Sequence, residues 1–385
     1  MYNDKRFAKG TRTKAGDKKE IIMIQKLYIH NFRCLENFEL HLKDMPSALL
    51  IGKNGAGKST VGIALKVFQS IGRGKNRVSD LVQTKDFARG RDDVPIRFEI
   101  EVLINKKLYQ YSLALELQKN FEELSILEEQ LIVSGEPIYS RQKASVTLHN
   151  NKFMVDWHLI ALPIIQKRSE ADPLHIFETW LARMIILAPN PSLMTGESNG
   201  ETLEPKQDGT NFGEWFSGLL VRYPAAYMDI DKSLRKVMPD LRDFQNEVIG
   251  KYLKNMSVQF QENQAEMRVS FEDLSDGEKC FFLCAVVLAA NKSYGPLFCF
   301  WDEPDSFLSL SEIGHFVTSL RRSFETGGQI LATSHNSEAI QKFSNENTLV
   351  FYRKNHLEPT LVKRLNDIPL KGNLLDTLIC GDLEL

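Results

Sequence analysis

Apolar residues recur with two different periods along this chain, and the change between them predicts its elements. Apolar and polar side chains alternate over residues 24–29, 38–42 and 94–117, as in half-buried strands. Residues 124–155 continue in the same way and are predicted to form a meander of short strands. From residue 276 to 353 helical spacing alternates with short apolar runs, which indicates a mostly parallel sheet with crossover helices.

The middle of the chain has the helical period. Apolar residues at helical spacing predict a helical stretch over 158–183, broken near Pro173, and a helix over 211–237 that ends before Pro239. Glycine and proline over 192–210 predict a loop, and residues 255–271 a second hairpin. We therefore divide the chain into four segments: a disordered basic tail (1–22), an N-terminal lobe with an antiparallel β subdomain (23–156), a helical insertion or lid (157–256) and a C-terminal lobe (257–385).

Composition excludes several classes of protein. Lysine and arginine number 48 against 50 aspartate and glutamate, so the whole chain is not a polycation, although the basic tail leaves a nucleic-acid contact open. The five cysteines form no CxxC pair, which favours a reducing compartment over a disulfide scaffold. No apolar run is long enough for a membrane span or a signal peptide, so we expect a cytoplasmic protein without a membrane partner.

A glycine-rich loop carries the most specific chemistry. Residues 52–59 read GKNGAGKS and match G-x-x-x-x-G-K-[ST], with an apolar run before and a predicted helix after. In such a loop backbone N–H groups and the helix N-terminus face phosphate oxygens, Lys58 reaches the β- and γ-phosphates, and Ser59 offers a hydroxyl to Mg²⁺. The alternative is an ordinary strand–turn–helix. The remaining candidate nucleotide contacts are Asn54, Gly55, Gly57 and Thr60.

A second candidate site is a buried strand that ends in two carboxylates. Residues 297–303 read LFCFWDE, and the carboxyl ends of parallel strands are where ligands bind in open α/β sheets. Asp302 could hold Mg²⁺, and Glu303, one residue further, could polarise an attacking water. The alternative is an acidic turn at residues 302–305.

Two further motifs each have a structural and a functional interpretation. Ser275 can cap the helix that starts at 276, with Glu278 closing a capping box, but Gly277 could also expose backbone donors to an anion. His335 follows a strand one helix and one strand after Asp302, so it could hydrogen-bond a γ-phosphate. The alternative for His335 is a helix-capping turn.

Taken in order, these motifs resemble the ABC-type ATPases of the RecF/SMC-like branch. The resemblance rests on the opening 24–40, the Walker A loop 52–59, the signature 274–279, the Walker B strand 297–303 and the switch histidine, with a D-loop at 304–306. The chain is also similar to stand-alone ATPases of bacterial antiphage systems, namely the OLD-type ATPase half and the Septu and PARIS ATPase subunits. This implies an α/β ABC ATPase head, a P-loop NTPase with a mixed β lobe and a helical lid.

The resemblance also implies roles for individual residues. ATP and Mg²⁺ would be the cofactors, Lys58 and Ser59 would bind phosphate and metal, Asp302 would bind metal, and Glu303 would be the general base. His335 would sense the γ-phosphate. Two heads would pack head-to-tail as a homodimer or higher oligomer, with Ser275 and Gly277 acting on the partner's ATP.

The chain departs from the family pattern in three places. Asp276 and Glu278 replace the usual glycine and glutamine of transporters, which argues against a transporter subunit. The family's Q-loop glutamine has no clear counterpart, and Gln83 and Asn190 are candidates for it. No heptads separate the two halves, which argues against an SMC-like coiled-coil arm.

Three hypotheses for function remain open. The stretch after His335 is too short for a TOPRIM nuclease domain, and the DxD at 229–231 lacks a matching glutamate. We therefore expect the effector in antiphage defence to be a separate nuclease or toxin. This ATPase would act as the sensor or the scaffold for that effector. A nucleic acid or a phage protein could be the trigger. The alternatives are a RecF-like DNA-repair ATPase that binds DNA directly, and a nucleotide-locked scaffold with negligible turnover.

Overall fold

The computed structural model describes residues 22–249 and 253–368, and these fall into two compact units. The first, here the phosphate-loop unit, comprises 22–184 and 343–368; the second, here the acidic-strand unit, comprises 185–249 and 253–342. The expected basic tail lies outside the described residues except for residue 22, so its disorder stays a prediction. The four-segment division of the chain also stays a prediction.

Seventeen strands and seven α-helices are defined in the described residues. The strands are β1 (Ile22–His30), β2 (Phe38–His41), β3 (Ser47–Ile51), β4 (Ile96–Ile104), β5 (Lys107–Glu116), β6 (Ser125–Val133), β7 (Glu136–Gln142), β8 (Ser145–Leu148), β9 (Asn151–Met154), β10 (Ile185–Leu187), β11 (Leu241–Ile249), β12 (Leu253–Glu262), β13 (Ala265–Ser270), β14 (Phe298–Trp301), β15 (Gln329–Thr333), β16 (Thr348–Tyr352) and β17 (Leu361–Arg364). The helices are α1 (Lys58–Gly72), α2 (Pro173–Arg183), α3 (Phe212–Arg222), α4 (Ala226–Leu234), α5 (Asp276–Tyr294), α6 (Leu310–Glu325) and α7 (Ser337–Lys342). Short 3₁₀ turns cover Val78–Asp80, Thr84–Asp86, Ala88–Gly90, Pro191–Leu193, Phe271–Asp273, Asn345–Asn347 and Leu365–Asp367.

The phosphate-loop unit is built on an eight-stranded antiparallel sheet in the order β2-β1-β4-β5-β6-β7-β8-β9. In β4 every second residue is buried, because one face of the strand packs on the core and the other does not. A second group of strands in this unit pairs β3 in parallel with β16, and β16 antiparallel with β17. All five residues of β3 are buried, and this strand leads directly into the loop at 52–57.

The acidic-strand unit is built around three parallel strands. Strand β14 pairs in parallel with β10 on one side and β15 on the other, and all three are buried throughout. Helix α5 is buried for most of its length, as expected for an apolar helix without a polar face. A separate antiparallel sheet in this unit has the order β11-β12-β13.

Most of the predicted elements are confirmed, and two are corrected. Residues 158–172, predicted as helix, contain no α-helix; the helix starts only at Pro173, with Asp172 as its cap. Residues 241–249, assigned to a helical insertion, form strand β11 instead. In the part of the chain that the structure describes, none of the helices has the length and apolar character that crossing a bilayer requires.

Candidate functional site

The loop between β3 and α1 has a backbone that only glycine adopts easily. Gly52 has φ +143°, and a Cβ there would lie 2.1 Å from the carbonyl oxygen of Phe351. Gly57 has φ +102°, and its Cβ would lie 2.6 Å from Thr360 Oγ1. Because both positions are at left-handed φ and against neighbouring atoms, side chains are excluded and the backbone curls tightly. The loop is therefore tightly curled at both glycines, while phosphate binding there stays a prediction.

The other predicted loop residues lie where a nucleotide could reach them. Helix α1 begins at Lys58 with Gly57 as its cap, and its first turn contains no acidic residue. Asn54, Gly55 and Ser59 are exposed, and Thr60 is half-buried. A helix N-terminus without a side-chain cap and without a nearby carboxylate on its first turn suits an anion.

Lys58 folds back over the loop. Its Nζ donates to the carbonyl oxygens of Gly52 at 2.9 Å and Lys53 at 3.3 Å. The side chain is buried, so its charge sits within the curl of the loop rather than in solvent. This places an ammonium group beside the backbone that would surround the phosphates.

Two residues that sequence reasoning missed hold this loop from outside. Thr360 donates from Oγ1 to the carbonyl oxygen of Ala56 at 2.9 Å, and its N–H donates to the carbonyl oxygen of Cys34 at 3.0 Å. Cys34 Sγ lies 3.5 Å from the Oγ1 of Thr60. These three contacts connect the loop to the segments before β2 and before β17, far away in sequence.

The acidic end of β14 is organised by a threonine on the neighbouring strand. Thr333 Oγ1 donates to Asp302 Oδ1 at 2.6 Å and accepts from the backbone N–H of Glu303 at 2.8 Å. The Asp302 N–H donates to the carbonyl oxygen of Leu187 at 2.8 Å, which joins β10 to the same edge. Asp302 is half-buried and Glu303 is exposed, so the two carboxylates differ in environment.

His335 and Glu303, predicted as sensor and base, are brought together. His335 Nε2 lies 3.4 Å from Glu303 Oε1, and Ser306 donates from Oγ to Glu303 Oε2 at 3.0 Å. Glu303 has φ +48°, a left-handed conformation that is uncommon for a residue other than glycine. The Glu303 carboxylate is thus in contact with two side chains, one on each of its oxygens.

The D-loop at 304–306 is tied to the segment that carries the histidine. Ser334, which is buried, donates from Oγ to Asp305 Oδ2 at 2.7 Å. Burial raises the pKa of the Asp305 carboxyl above its usual range, and the bond from Ser334 opposes this only partly. The D-loop and the His335 segment are therefore one hydrogen-bonded assembly.

The serine–glycine turn forms the predicted cap. Ser275 Oγ accepts from the N–H of Glu278 at 3.3 Å, and the N–H of Ser275 donates to Glu278 Oε2 at 2.8 Å. A Cβ on Gly277 would lie 3.1 Å from the carbonyl oxygen of Phe307, so the turn packs against the residues that follow the D-loop. The capping box explains the local sequence, while the role of Ser275 and Gly277 toward a partner stays a prediction.

The weaker candidates are distributed differently. Asn190 follows β10 at the edge where Asp302 ends its strand, while Gln83 is exposed and caps a 3₁₀ turn in the phosphate-loop unit. Arg33 donates from Nε to Asp86 Oδ1 at 2.9 Å. Trp301, the residue before Asp302, is fully buried and packs against Phe316.

Each unit contains an oxygen donor of the kind that Mg²⁺ prefers. Mg²⁺ prefers hard oxygen ligands and typically takes one or two protein groups together with phosphate oxygens. The hydroxyl of Ser59 is exposed, and the carboxylate of Asp302 is oriented through the bond from Thr333 to Oδ1. Within 22–249 and 253–368 no group of three or more His, Cys, Asp or Glu side chains is arranged to hold a metal ion.

Two family models match the chain, one in each unit. The model described as "AAA ATPase domain" matches residues 23–178, and the model described as "AAA domain, putative AbiEii toxin, Type IV TA system" matches residues 206–340. Each model matches less than half of the chain, and the predicted fold class, a mixed α/β P-loop ATPase fold, is confirmed.

Solved structures of SMC heads are similar to this chain at low identity. The SmcHead bound to the C-winged helix domain of ScpA is 15% identical, covers 89% of this chain and 98% of its own, and has a TM-score of 0.48. The SMC head domain from Thermotoga maritima is 14% identical, covers 89% of this chain and 98% of its own, and has a TM-score of 0.45. The third structure is the Smc head domain with an extended coiled coil, bound to the C-terminal domain of ScpA derived from Pyrococcus furiosus. It is 13% identical, covers 95% of this chain and 100% of its own, and has a TM-score of 0.46. No curated protein is significantly similar to the chain.

Proposed function

We propose that this chain is an ABC-type ATPase that binds ATP with Mg²⁺ at the 52–59 loop and hydrolyses it with Glu303 as general base. One observation carries the proposal: Thr333 Oγ1 bonds both the Asp302 carboxylate and the Glu303 backbone N–H, and His335 Nε2 lies 3.4 Å from Glu303 Oε1. A metal ligand and a general base both require oriented carboxylates, and contacts of this kind orient them.

Each residue has a distinct task in this proposal. Lys58 and the backbone of the curled loop bind the phosphates, and Glu303 accepts a proton from the attacking water. His335, whose Nε2 lies 3.4 Å from Glu303 Oε1, would keep the carboxylate oriented and contact the terminal phosphate. Catalysis would then be mostly positioning and electrostatics, as in phosphoryl transfer generally.

Ser59 and Asp302 are the proposed magnesium ligands. When bound, the ion supplies charge neutralisation for the phosphate oxygens. The chain's own contribution is to present one hydroxyl and one oriented carboxylate. Asn54, Gly55, Gly57 and Thr60 complete the nucleotide contacts in this proposal.

A second copy of the chain completes the proposed site. The Ser275 turn, capped by Glu278 and packed near Phe307, would face the ATP of the partner and add backbone donors to its γ-phosphate. ATP would then hold two heads together head-to-tail, and hydrolysis would release them. Larger oligomers could be built from the same contact.

For the biological role, we propose a sensor or scaffold that controls a separate nuclease or toxin in antiphage defence. The family model that matches 206–340 has a toxin of a type IV TA system in its description, which supports this class of role over DNA repair. A nucleic acid or a phage protein would be the trigger.

Three proteins test the ATPase proposal: the parent, Glu303→Gln and Lys58→Ala. We expect Glu303→Gln to lower kcat by roughly 10²–10⁴-fold, because the base is lost, while ATP stays bound and the oligomer persists. Lys58→Ala should lose ATP binding, because the ammonium inside the loop is removed. Glu325→Gln, on the exposed end of α6, is the matched control and should behave like the parent.

Phosphate release, filter binding of labelled ATP and light scattering give the three readouts. Hydrolysis by Glu303→Gln at the parent rate would show that the base is assigned wrongly. A parent that is stimulated by DNA would support the RecF-like alternative, whereas tight co-purification of another protein without DNA stimulation would support effector control. ATP retained through purification without phosphate release would point to a nucleotide-locked scaffold.

A further inference from the structure

Thr333 lies at the end of a strand whose residues are all buried. Strand β15 pairs in parallel with β14, and Trp301 lies opposite Ala332. Asp302 and Thr333 are the residues that follow this pair along the two chain segments. Thr333 is fully buried. A buried hydroxyl needs hydrogen-bond partners. The Thr333 hydroxyl donates to Asp302 and accepts from Glu303, the two residues that follow β14.

We propose that Thr333 is a positioning residue for ATP hydrolysis: its single hydroxyl sets the orientation of the Asp302 carboxylate and holds the backbone of Glu303. The inference rests on the proposed function, because it gives Asp302 and Glu303 the roles of metal ligand and base. It adds a residue that acts through the Asp302 carboxylate and the Glu303 backbone.

The two hydrogen bonds act on different parts of the site. Donation to Asp302 Oδ1 at 2.6 Å fixes which oxygen of the carboxylate is turned away from β15. Acceptance from the Glu303 N–H at 2.8 Å holds a peptide whose residue has φ +48°. Such a conformation persists only when surrounding contacts maintain it, and this bond is a contact at that residue itself.

Removal of the hydroxyl should therefore misplace both carboxylates without removing either. In Thr333→Val a methyl group would face Asp302 Oδ1 and the Glu303 N–H, and neither bond could form. A displacement of about 1 Å in a catalytic group can cost about 10²-fold in rate, so a loss of at least about 10-fold in kcat is expected. The KM for ATP should change little, because the phosphate-binding loop is intact.

The experiment compares Thr333→Val and Thr333→Ser with a matched control. Thr348→Val is the control, since Thr348 is also fully buried on a parallel strand but its hydroxyl donates to the backbone oxygen of Ser344. Phosphate release gives kcat and KM. Electron paramagnetic resonance of Mn²⁺, titrated in the presence of a non-hydrolysable ATP analogue, reports metal affinity without turnover.

We expect Thr333→Val to lower kcat by at least about 10-fold and to weaken Mn²⁺ binding several-fold, as expected when an oriented ligand is released. Thr333→Ser, which keeps the hydroxyl, should restore both, and Thr348→Val should match the parent. Thr333→Ala removes the same hydroxyl and replaces the valine variant if that variant does not fold.

Two results would overturn the role of Thr333. One is a hydroxyl-free variant that binds Mn²⁺ and turns over like the parent. The other is a serine variant as impaired as the valine variant, since the methyl group and not the hydroxyl would then matter. Absence of hydrolysis in the parent would refute the proposed function instead. The Mn²⁺ titration would still test whether Thr333 orients the metal ligand, because it does not depend on turnover.

Discussion

Replacement of Glu129 by glutamine should strongly destabilise the phosphate-loop unit. The side chains of Glu129, on β6, and Arg141, on β7, are both fully buried, and Arg141 Nη1 lies 3.5 Å from Glu129 Oε2. Glu129 Oε1 accepts from the hydroxyl groups of Tyr139 at 2.7 Å and Tyr111 at 3.1 Å. Burial raises the pKa of both tyrosines well above the usual range, so both stay protonated and donate.

The backbone of the segment after β9 depends on the same carboxylate. The N–H groups of Ala161 and Leu162 donate to Glu129 at 2.8 Å and 3.1 Å. Arg141 donates to the carbonyl oxygens of Leu159 and Asp156. The pair therefore fixes residues 156–162, and through the bond from Ile160 N–H to the Asn76 carbonyl oxygen it reaches the chain that follows α1.

The cost can be worked out from these contacts. An amide nitrogen in place of Oε2 would face the N–H of Ala161, and Arg141 would keep a buried charge without its counterion. Loss of one partner of a buried pair typically costs about 3–5 kcal/mol. Glu128→Gln on the same strand is the control, because Glu128 and Arg97 form a partly exposed pair that should contribute no more than about 1 kcal/mol.

Urea titration followed by circular dichroism gives the free energy of unfolding of both variants. We expect Glu129→Gln to lose at least about 3 kcal/mol and Glu128→Gln less than about 1 kcal/mol, with ATP binding retained wherever the protein is folded. Equal and small losses in both variants would refute the reasoning that the buried cluster holds residues 156–162.

Two further predictions follow from burial in the acidic-strand unit. Burial raises the pKa of Asp305, so the folded protein favours the protonated carboxyl. This contribution to the free energy of unfolding is present below the ordinary pKa of aspartate and is lost as the pH rises through the raised value. Asp305→Asn should therefore raise Tm at pH 7.5, with no gain under acid conditions. An unchanged or lower Tm at pH 7.5 would contradict this. Burial also raises the pKa of Cys280 to about 12 and that of Cys284 and Cys299 above the usual range, so iodoacetamide should label these thiols only after denaturation, as read by mass spectrometry. Rapid labelling of Cys299 in the native protein would show that this core opens.

Features encoded in consecutive residues could be predicted from the sequence. The 52–59 loop needs only its own glycines and the strand and helix beside it, and these are local. The capping box of Ser275 and Glu278 likewise depends on a spacing of three residues. The acidic end of β14 was found because an apolar run stops at two carboxylates.

Contacts set by register or by distant segments could not be predicted. Thr333 meets Asp302 only because Trp301 pairs with Ala332, and the sequence does not determine that register. Thr360 reaches Ala56 from the other end of the unit's chain. No local pattern singles out either threonine.

The two wrong elements have tertiary causes. Residues 158–172 have helical spacing, but the N–H groups of Ala161 and Leu162 bond to a glutamate on β6 and not to a preceding turn. Strand β11 carries polar residues at several positions and is defined by its pairing with β12, which local alternation did not reveal.

The most direct test of the account is a crystal structure of Glu303→Gln with Mn²⁺ and ATP, using the anomalous signal of manganese. The account predicts one metal peak bonded to the Ser59 hydroxyl, the Asp302 carboxylate and phosphate oxygens, with the triphosphate along the 52–59 loop. A nucleotide bound elsewhere, or a metal without Asp302, would contradict it.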